Sequence, residues 1–278
     1  MLDRVGLGWR PELAAGIFTN LDRIDVIEVI ADDYWSTSRG RSAIKMLASH
    51  KPVVLHGISL GLASTGPIAQ EHLEKMARLV DCVRPETWSE HLAFVRAGDI
   101  EIGHLAAPPR TAATVDATAA KLEAARAMVG TMPLVENIAT LIDPPLSDRS
   151  EPRWLSEILS ASGAGMLLDL HNLYANSVNF GLNPGEFLSL LPMKAIHQVH
   201  ISGGKWIDDG DASHRRLLDD HLHAPPEPVY ELLAELAARC PSPLTVILER
   251  DGSYPPMSHL LEHLDFARAA LGAGRARR

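Results

Sequence analysis

The sequence predicts a single (β/α)8 barrel over residues 1–278, and three observations carry that expectation. Short apolar runs rich in β-branched residues recur eight times along the chain. Stretches with helical periodicity separate most of them, the alternation that builds a parallel sheet. No segment is long enough to serve as a linker between two folded parts, and 278 residues suit a barrel, which typically takes ~250.

In chain order, strands are expected near Val5–Trp9, Ile24–Ile30, Pro52–Ile58, Thr87–Leu92, Met132–Asn137, Gly165–Leu170, Ala195–Ile201 and Leu244–Glu249. Runs such as Pro52-Val-Val-Leu55 and Leu244-Thr-Val-Ile-Leu248 suit strands covered on both faces. The clearest helical stretches are Glu71–Val83 and Ala112–Val129, the second Ala-rich with Lys121, Glu123 and Arg126 on its polar side. Val229–Arg239 and His259–Leu271 are two more. The Pro-rich segments Asp143–Pro152 and Ala224–Pro228 read as loops within one domain. An open doubly wound sheet is the alternative, but no Gly-x-Gly-x-x-Gly follows the first strand.

A net charge of −9, from 26 basic and 35 acidic residues, argues against nucleic acid as a partner, because phosphate binding needs a basic surface. Cys82 and Cys240 form no Cys-x-x-Cys pair, so neither a zinc knuckle nor a disulfide framework is expected. No apolar run approaches the ~20 residues of a membrane helix. The N-terminus lacks the pattern of a secretory signal, and a cytoplasmic location without membrane attachment is expected.

The ends of the predicted strands carry the chemistry. Strand two ends at Glu28, with Asp32 and Asp33 following, and strand three ends in Leu-His56-Gly. Strand four ends in Ser-Glu90-His91, strand five in Glu136-Asn137 and strand six in Asp169-Leu-His171-Asn172. Strand seven ends in Val-His200-Ile-Ser, and strand eight in Leu-Glu249-Arg250. Barrel active sites form at this rim, where side chains from separate strands converge. A lone histidine there is more often a hydrogen-bonded structural residue, but six consecutive strands ending in metal-binding side chains point to a metal site.

Strand parity narrows the set. Residues two apart share a face, so Asp169 and His171 are expected to point to one site. His197 and His200 have opposite parity; His200 is taken as the ligand and His197 is expected beneath a helix. By the same rule His91 excludes Glu90. The loop after strand seven offers two more candidates, Asp219 and His221, in Asp219-Asp-His221-Leu-His223, though a solvated polar loop reads equally well.

The candidate ligands are therefore His56, His91, Glu136, Asp169, His171, His200, Asp219, His221 and Glu249. One six-coordinate ion cannot use nine donors, so two or three ions are expected. Mixed imidazole and carboxylate donors without thiolate suit iron, manganese or zinc. A zinc or manganese isomerase or hydrolase, and a non-enzymatic metal-binding protein, are the competing readings.

Motifs along nearly the whole chain resemble the multinuclear non-heme iron-dependent oxidases, which include the methanobactin biosynthetic oxidase. They are Gly6-Leu-Gly8-Trp9-Arg10, Glu28-Val-Ile-Ala-Asp-Asp-Tyr34-Trp35, His56-Gly-Ile-Ser-Leu, Ser89-Glu-His91-Leu and Glu136-Asn137, then Leu168-Asp169-Leu-His171-Asn172-Leu-Tyr174-Ala-Asn176-Ser, Val199-His200-Ile-Ser-Gly and Leu248-Glu249-Arg250-Asp251. The resemblance implies a TIM barrel of the xylose-isomerase-like kind holding two or three irons, with an Fe(II)/Fe(III) pair using O2 as co-substrate. It implies modification of a ribosomally made precursor peptide, at cysteine or at another residue such as a C-terminal aspartate. A small partner protein that binds the peptide's leader is part of the same expectation.

By motif, Glu136 would bridge two irons, with His56 and His91 on one and Asp169, His200 and Glu249 on the other. His171, Asp219 and His221 would form a third position. Glu136, Asp169 and His171 would be the catalytic residues, and Asn137, Asn172, Asn176 and Arg250 would support the ligands. Two departures stand out. Many members carry Asn where this chain has His171, which argues for a filled third position. Many also read His-Leu-Ala-Gly-His where this chain has His200-Ile-Ser-Gly-Gly-Lys205, which implies an altered substrate pocket.

Overall fold

In the computed structural model, residues 2–98, 100–208 and 215–278 are described. They form β1 (Arg4–Gly8), α1 (Ala14–Thr19), β2 (Ile27–Ile30), α2 (Ser38–Ala48), β3 (Val53–Gly57), α3 (Gln70–Val83), β4 (Trp88–His91), β5 (Phe94–Ala97) and β6 (Ile100–Ala106). There follow α4 (Ala112–Val129), β7 (Leu134–Glu136), α5 (Glu151–Ser162), β8 (Met166–Asp169), α6 (Leu170–Phe180), α7 (Pro184–Leu190) and β9 (Ile196–Ile201). The chain ends with β10 (Gly203–Asp208), β11 (Arg215–His223), α8 (Glu227–Arg239), β12 (Thr245–Leu248) and α9 (Met257–Arg275).

Eight strands close into a parallel barrel in the order β1-β12-β9-β8-β7-β4-β3-β2. Their bounds fall within one or two residues of the expected runs, except that β2 begins three residues later than predicted. Val53, Val54 and Leu55 are all buried, as are Met166, Leu167 and Leu168, because one face of each strand meets the barrel interior and the other a helix. Gly6 is required by close approach: a Cβ there would lie 2.1 Å from the Val26 carbonyl oxygen.

Two compact units make up the chain. One comprises Met1–Ile27, Ala139–Asp143 and Leu168–Arg278; the other comprises Glu28–Ile138 and Pro144–Leu167. In the first, α9 packs on α8, β1 and β12. Asp3 receives Arg275 Nε at 2.8 Å and the Leu244 amide at 2.7 Å, tying the segment before β1 to the last turn of α9 and the start of β12. In the second, α2, α3, α4 and α5 pack in sequence. Helix α4 starts at a capping box between Thr111 and Thr114 and stops at Gly130, whose φ of 90° no L-residue adopts easily.

Two features depart from expectation here. Antiparallel pairs β5–β6 and β10–β11 stand outside the barrel, inserted after strands that the simple alternation would follow with helices. Lys121 is buried instead of lying on the polar side of α4, and its ammonium donates to the Ser64 carbonyl. Burial, aided by the charge of Arg96, pulls its pKa down. That bond, with those from Arg96 to the carbonyls of Ser59 (2.5 Å) and Leu60 (3.0 Å), fastens the loop that follows β3. No helix among the described residues is long and apolar enough to cross a membrane.

Candidate metal centre

In the second unit, β3, β4 and β7 run parallel with His91 opposite Glu136 and His56 opposite Ser89. This register brings the strand ends level. Nε2 of His56 lies 3.3 Å from Glu136 Oε2, and Nε2 of His91 lies 3.5 Å from the same oxygen. The two rings meet edge to face with centroids 4.6 Å apart. The three donor atoms lie within 4.8 Å of one another, and a Glu28 oxygen lies within the same distance of a His56 ring nitrogen. Ser89 Oγ sits 2.8 Å from His56 Nδ1 and 3.4 Å from the Leu55 carbonyl, so the hydroxyl donates to the carbonyl and accepts Nδ1–H. That leaves Nε2 as the donor atom directed at Glu136.

In the first unit, Asp169 ends β8 and caps α6: its Oδ1 accepts the Asn172 amide at 2.7 Å. The cap turns the chain into a helix before His171, so His171 stands in the first turn of α6 and not on the strand. Strand parity therefore does not set its direction, although the ring is fully buried. Its Nδ1 lies 2.7 Å from Asp219 Oδ1. Asp219 and His221 belong to β11, a strand where a loop is expected. Asp219 Oδ2 lies 2.9 Å from His221 Nε2. On β9 and β12, His200 Nδ1 is 3.1 Å from Glu249 Oε2. Donor atoms of Asp169, His221 and Glu249 fall within 4.8 Å of one another, as do those of Asp169 and His200.

The close packing of β11 against α6 depends on Gly204, which pairs with Asp219 across the β10–β11 ladder. A Cβ at 204 would lie 2.2 Å from the Leu218 carbonyl oxygen and 2.6 Å from His171 Cε1. Gly204 thus makes room for the His171 ring, while a Cβ at Gly203 would lie 2.2 Å from the Ala224 carbonyl oxygen. Asn179 completes the seam by gripping Leu217 both ways, its Oδ1 accepting the amide at 2.8 Å and its Nδ2 donating to the carbonyl at 3.0 Å.

The electrostatics fit a bound cation. Burial would raise the Asp219 carboxyl, but His221 and His171 hold it far below the usual carboxylate range. Burial would lower His221, yet Glu249, Asp219 and Asp251 push it well above its ordinary value. Asp219 and Glu249 thus face an imidazolium, a place a metal ion would take with release of the proton. His171 Nε2 is buried and has no hydrogen-bond partner among the described residues, which suits a nitrogen kept for a metal. With thiolates absent, the donors suit iron, manganese or zinc.

The supporting residues sort differently. Asn137 is buried directly after Glu136. Asn172 bonds Asp169 through its backbone, and Asn176 Oδ1 accepts the Thr140 amide at 2.9 Å, pinning the segment 139–143. Arg250 bonds the carbonyls of Gly252 (2.8 Å) and Ser253 (2.5 Å), shaping the turn after Glu249. His197 is exposed on the outer side of β9; it does not lie beneath a helix. Glu90 belongs to none of these donor groups but is buried, with Oε2 accepting the Leu60 amide at 3.4 Å, and burial with the Asp32 carboxylate nearby pushes it well above the carboxylate range.

Sequence reasoning left out Ser89, Glu28, Arg10 and Asp251. Glu28 carried the same strand-end signal as the chosen ligands. Arg10 and Asp251 lay inside quoted motifs without a role. An apolar cleft of about 690 Å3 in the second unit, lined by Ile68, Leu73, Phe94 and Pro108 among others, includes none of the candidate ligands.

The family described as RiPP precursor modification enzyme MbnB/TglH/ChrH matches residues 4–272. The UPF0276 protein of Streptomyces avermitilis is 34% identical over 273 residues, covering 96% of this chain and 54% of that protein, so the chain spans about half its length. The UPF0276 protein of Caulobacter vibrioides is 28% identical over 275 residues, covering 98% of this chain and 96% of the other. Among solved structures, L-ribulose 3-epimerase superposes with a TM-score of 0.65 at 14% identity, covering 99% of this chain and 97% of that one. A xylose isomerase domain protein from Alicyclobacillus acidocaldarius gives 0.59 at 15%, covering 98% and 99%. At such identities the likeness concerns the fold, a xylose-isomerase-like barrel.

Proposed function

The chain belongs to the MbnB/TglH/ChrH family of RiPP precursor modification enzymes, the multinuclear non-heme iron-dependent oxidases that its motifs resemble; from that premise we propose that it oxidises a ribosomally synthesised precursor peptide with O2, using two or three bound irons. The observation that carries the reading is the presence of a buried imidazole–carboxylate donor set in each compact unit. His56, His91 and Glu136 would hold iron in one. Asp169, His200, Glu249, His221, Asp219 and His171 would hold it in the other.

Iron, when bound, supplies one-electron redox chemistry for O2. The protein's own residues do the rest. Ser89 directs the His56 ring, Asp219 directs the His171 ring, and the Asn172 amide fixes Asp169. Burial of Glu136, Asp169, His171 and His200 keeps water from the donors, which favours defined geometry over hydrolysis of reactive species. Glu136, Asp169 and His171 are assigned as catalytic. The modified residue is proposed to be a cysteine, with a C-terminal aspartate as the other outcome, and a small leader-binding protein is proposed to present the peptide.

The test is anaerobic loading with Fe(II), followed by addition of the precursor peptide with and without O2. A mass change in the peptide that requires both iron and O2 supports the proposal. Full product without O2, or a wild type whose tightly bound metal is zinc and which consumes no O2, overturns it.

A further inference from the structure

His221 is held in a conformation that a histidine rarely adopts, and the residues that hold it lie outside the donor set. Its φ is +54°, the left-handed region, where a side chain other than glycine costs of order 1 kcal/mol. Two bonds from Asp251 meet it there. The Asp251 amide donates to the His221 carbonyl at 2.9 Å, and Asp251 Oδ2 lies 3.1 Å from His221 Nδ1. The other carboxylate oxygen is gripped by Arg10, whose Nε donates at 2.9 Å and whose Nη2 donates as well. Arg10 is itself steadied by a bond from Nη1 to the Trp9 carbonyl at 2.7 Å.

These contacts form one line: Arg10, Asp251, His221, Asp219, His171. Side chains that hold protons alternate along it with carboxylates that accept them, so each group orders the next. A carboxylate that accepts Nδ1–H leaves Nε2 as the lone pair of the ring, and Nε2 is the nitrogen that faces Asp219. The side chain of Arg10 is only 12% exposed, so the guanidinium is a fixed partner and not a solvated one.

We propose that Asp251, braced by Arg10, is the positioning carboxylate that fixes His221 as a metal ligand through Nε2. Neither residue reaches the metal. This inference rests on the metal-centre reading above, and it assigns a role to the Arg10 and Asp251 positions that the ligand set leaves unexplained.

The experiment compares wild type with Asp251→Ala, Asp251→Asn and Arg10→Gln, each loaded anaerobically with Fe(II). Iron per chain is measured by mass spectrometry of the metal, and affinity by competition with a chelator. Asp251→Ala should weaken one iron about 10–100-fold, with Asp251→Asn and Arg10→Gln intermediate, because Asn keeps an acceptor for Nδ1–H and the arginine variant keeps the carboxylate. The iron at His56, His91 and Glu136 should remain, and the melting temperature of the metal-free chain should move by no more than about 2 °C. Variants that hold all their iron as tightly as wild type overturn the inference alone. Loss of all iron with a large fall in metal-free melting temperature overturns it in favour of a purely structural role. A wild type that binds no iron overturns the metal-centre reading, and the inference with it.

Discussion

The Ser89 hydroxyl, 2.8 Å from His56 Nδ1 and 3.4 Å from the Leu55 carbonyl, decides which nitrogen His56 presents to Glu136. Ser89→Ala should therefore leave the barrel folded and weaken the iron at His56, His91 and Glu136 by about 10–100-fold. Chelator competition measures this; an unchanged affinity would show that the hydroxyl has no part in setting the tautomer. The serine was legible in the sequence only as a neighbour of His91. Its role follows from the parallel register that sets Ser89 opposite His56, and register is a property of two strands, not of one.

At the scale of elements, the β10–β11 pair carries Asp219 and His221, and its attachment to α6 decides where they stand. Asn179 makes two bonds to Leu217, and Arg216 adds one to the Leu141 carbonyl. Asn179→Ala removes both amide bonds at a cost of about 1–2 kcal/mol. Amide hydrogen exchange should then quicken over residues 215–223 while β8 and β9 keep their protection; uniform quickening across the chain would contradict a local clamp. The pair itself had a sequence signal that the loop reading passed over. Trp206 and Ile207 precede, and Leu217 and Leu218 follow, a stretch containing Asp209-Gly210, a turn-favouring pair. Residues 209–214 lie outside those described.

At the scale of the whole molecule, two terms bear on stability. Burial would raise the Asp3 carboxyl, but Arg275 and the Leu244 amide hold it below its ordinary value of 3.8. A depressed folded-state pKa adds stability above the unfolded value and loses it as pH falls through the folded one. Asp3→Asn should thus cost about 1 kcal/mol at pH 7, after allowance for solvent screening, and the difference from wild type should shrink below pH 4. Urea melts at the two pH values check this; an equal deficit at both would contradict it. Metal is the second term. An ion held at 100 times its Kd stabilises by about 2.7 kcal/mol, so chelation should lower the melting temperature by about 5–10 °C for a chain of this size. A melting curve that ignores the chelator would argue against tightly held metal.

The barrel was legible because its strands are short apolar runs at regular intervals, and periodicity is a local property that survives without a partner. The strand-end positions of His56, His91, Glu136, Asp169, His200 and Glu249 followed from the same pattern. Asp169 caps a helix through a local bond to the Asn172 amide, three residues on, which moves His171 from a strand face to a helix turn; the strand reading passed over that cap. Tertiary structure decided the rest. Lys121 is buried because the Ser64 carbonyl receives it. Asp251 and Arg10, 241 residues apart, meet only when β1 and β12 pair. Sequence patterns report which residues share a face; which atoms a side chain bonds depends on chain segments brought together by packing.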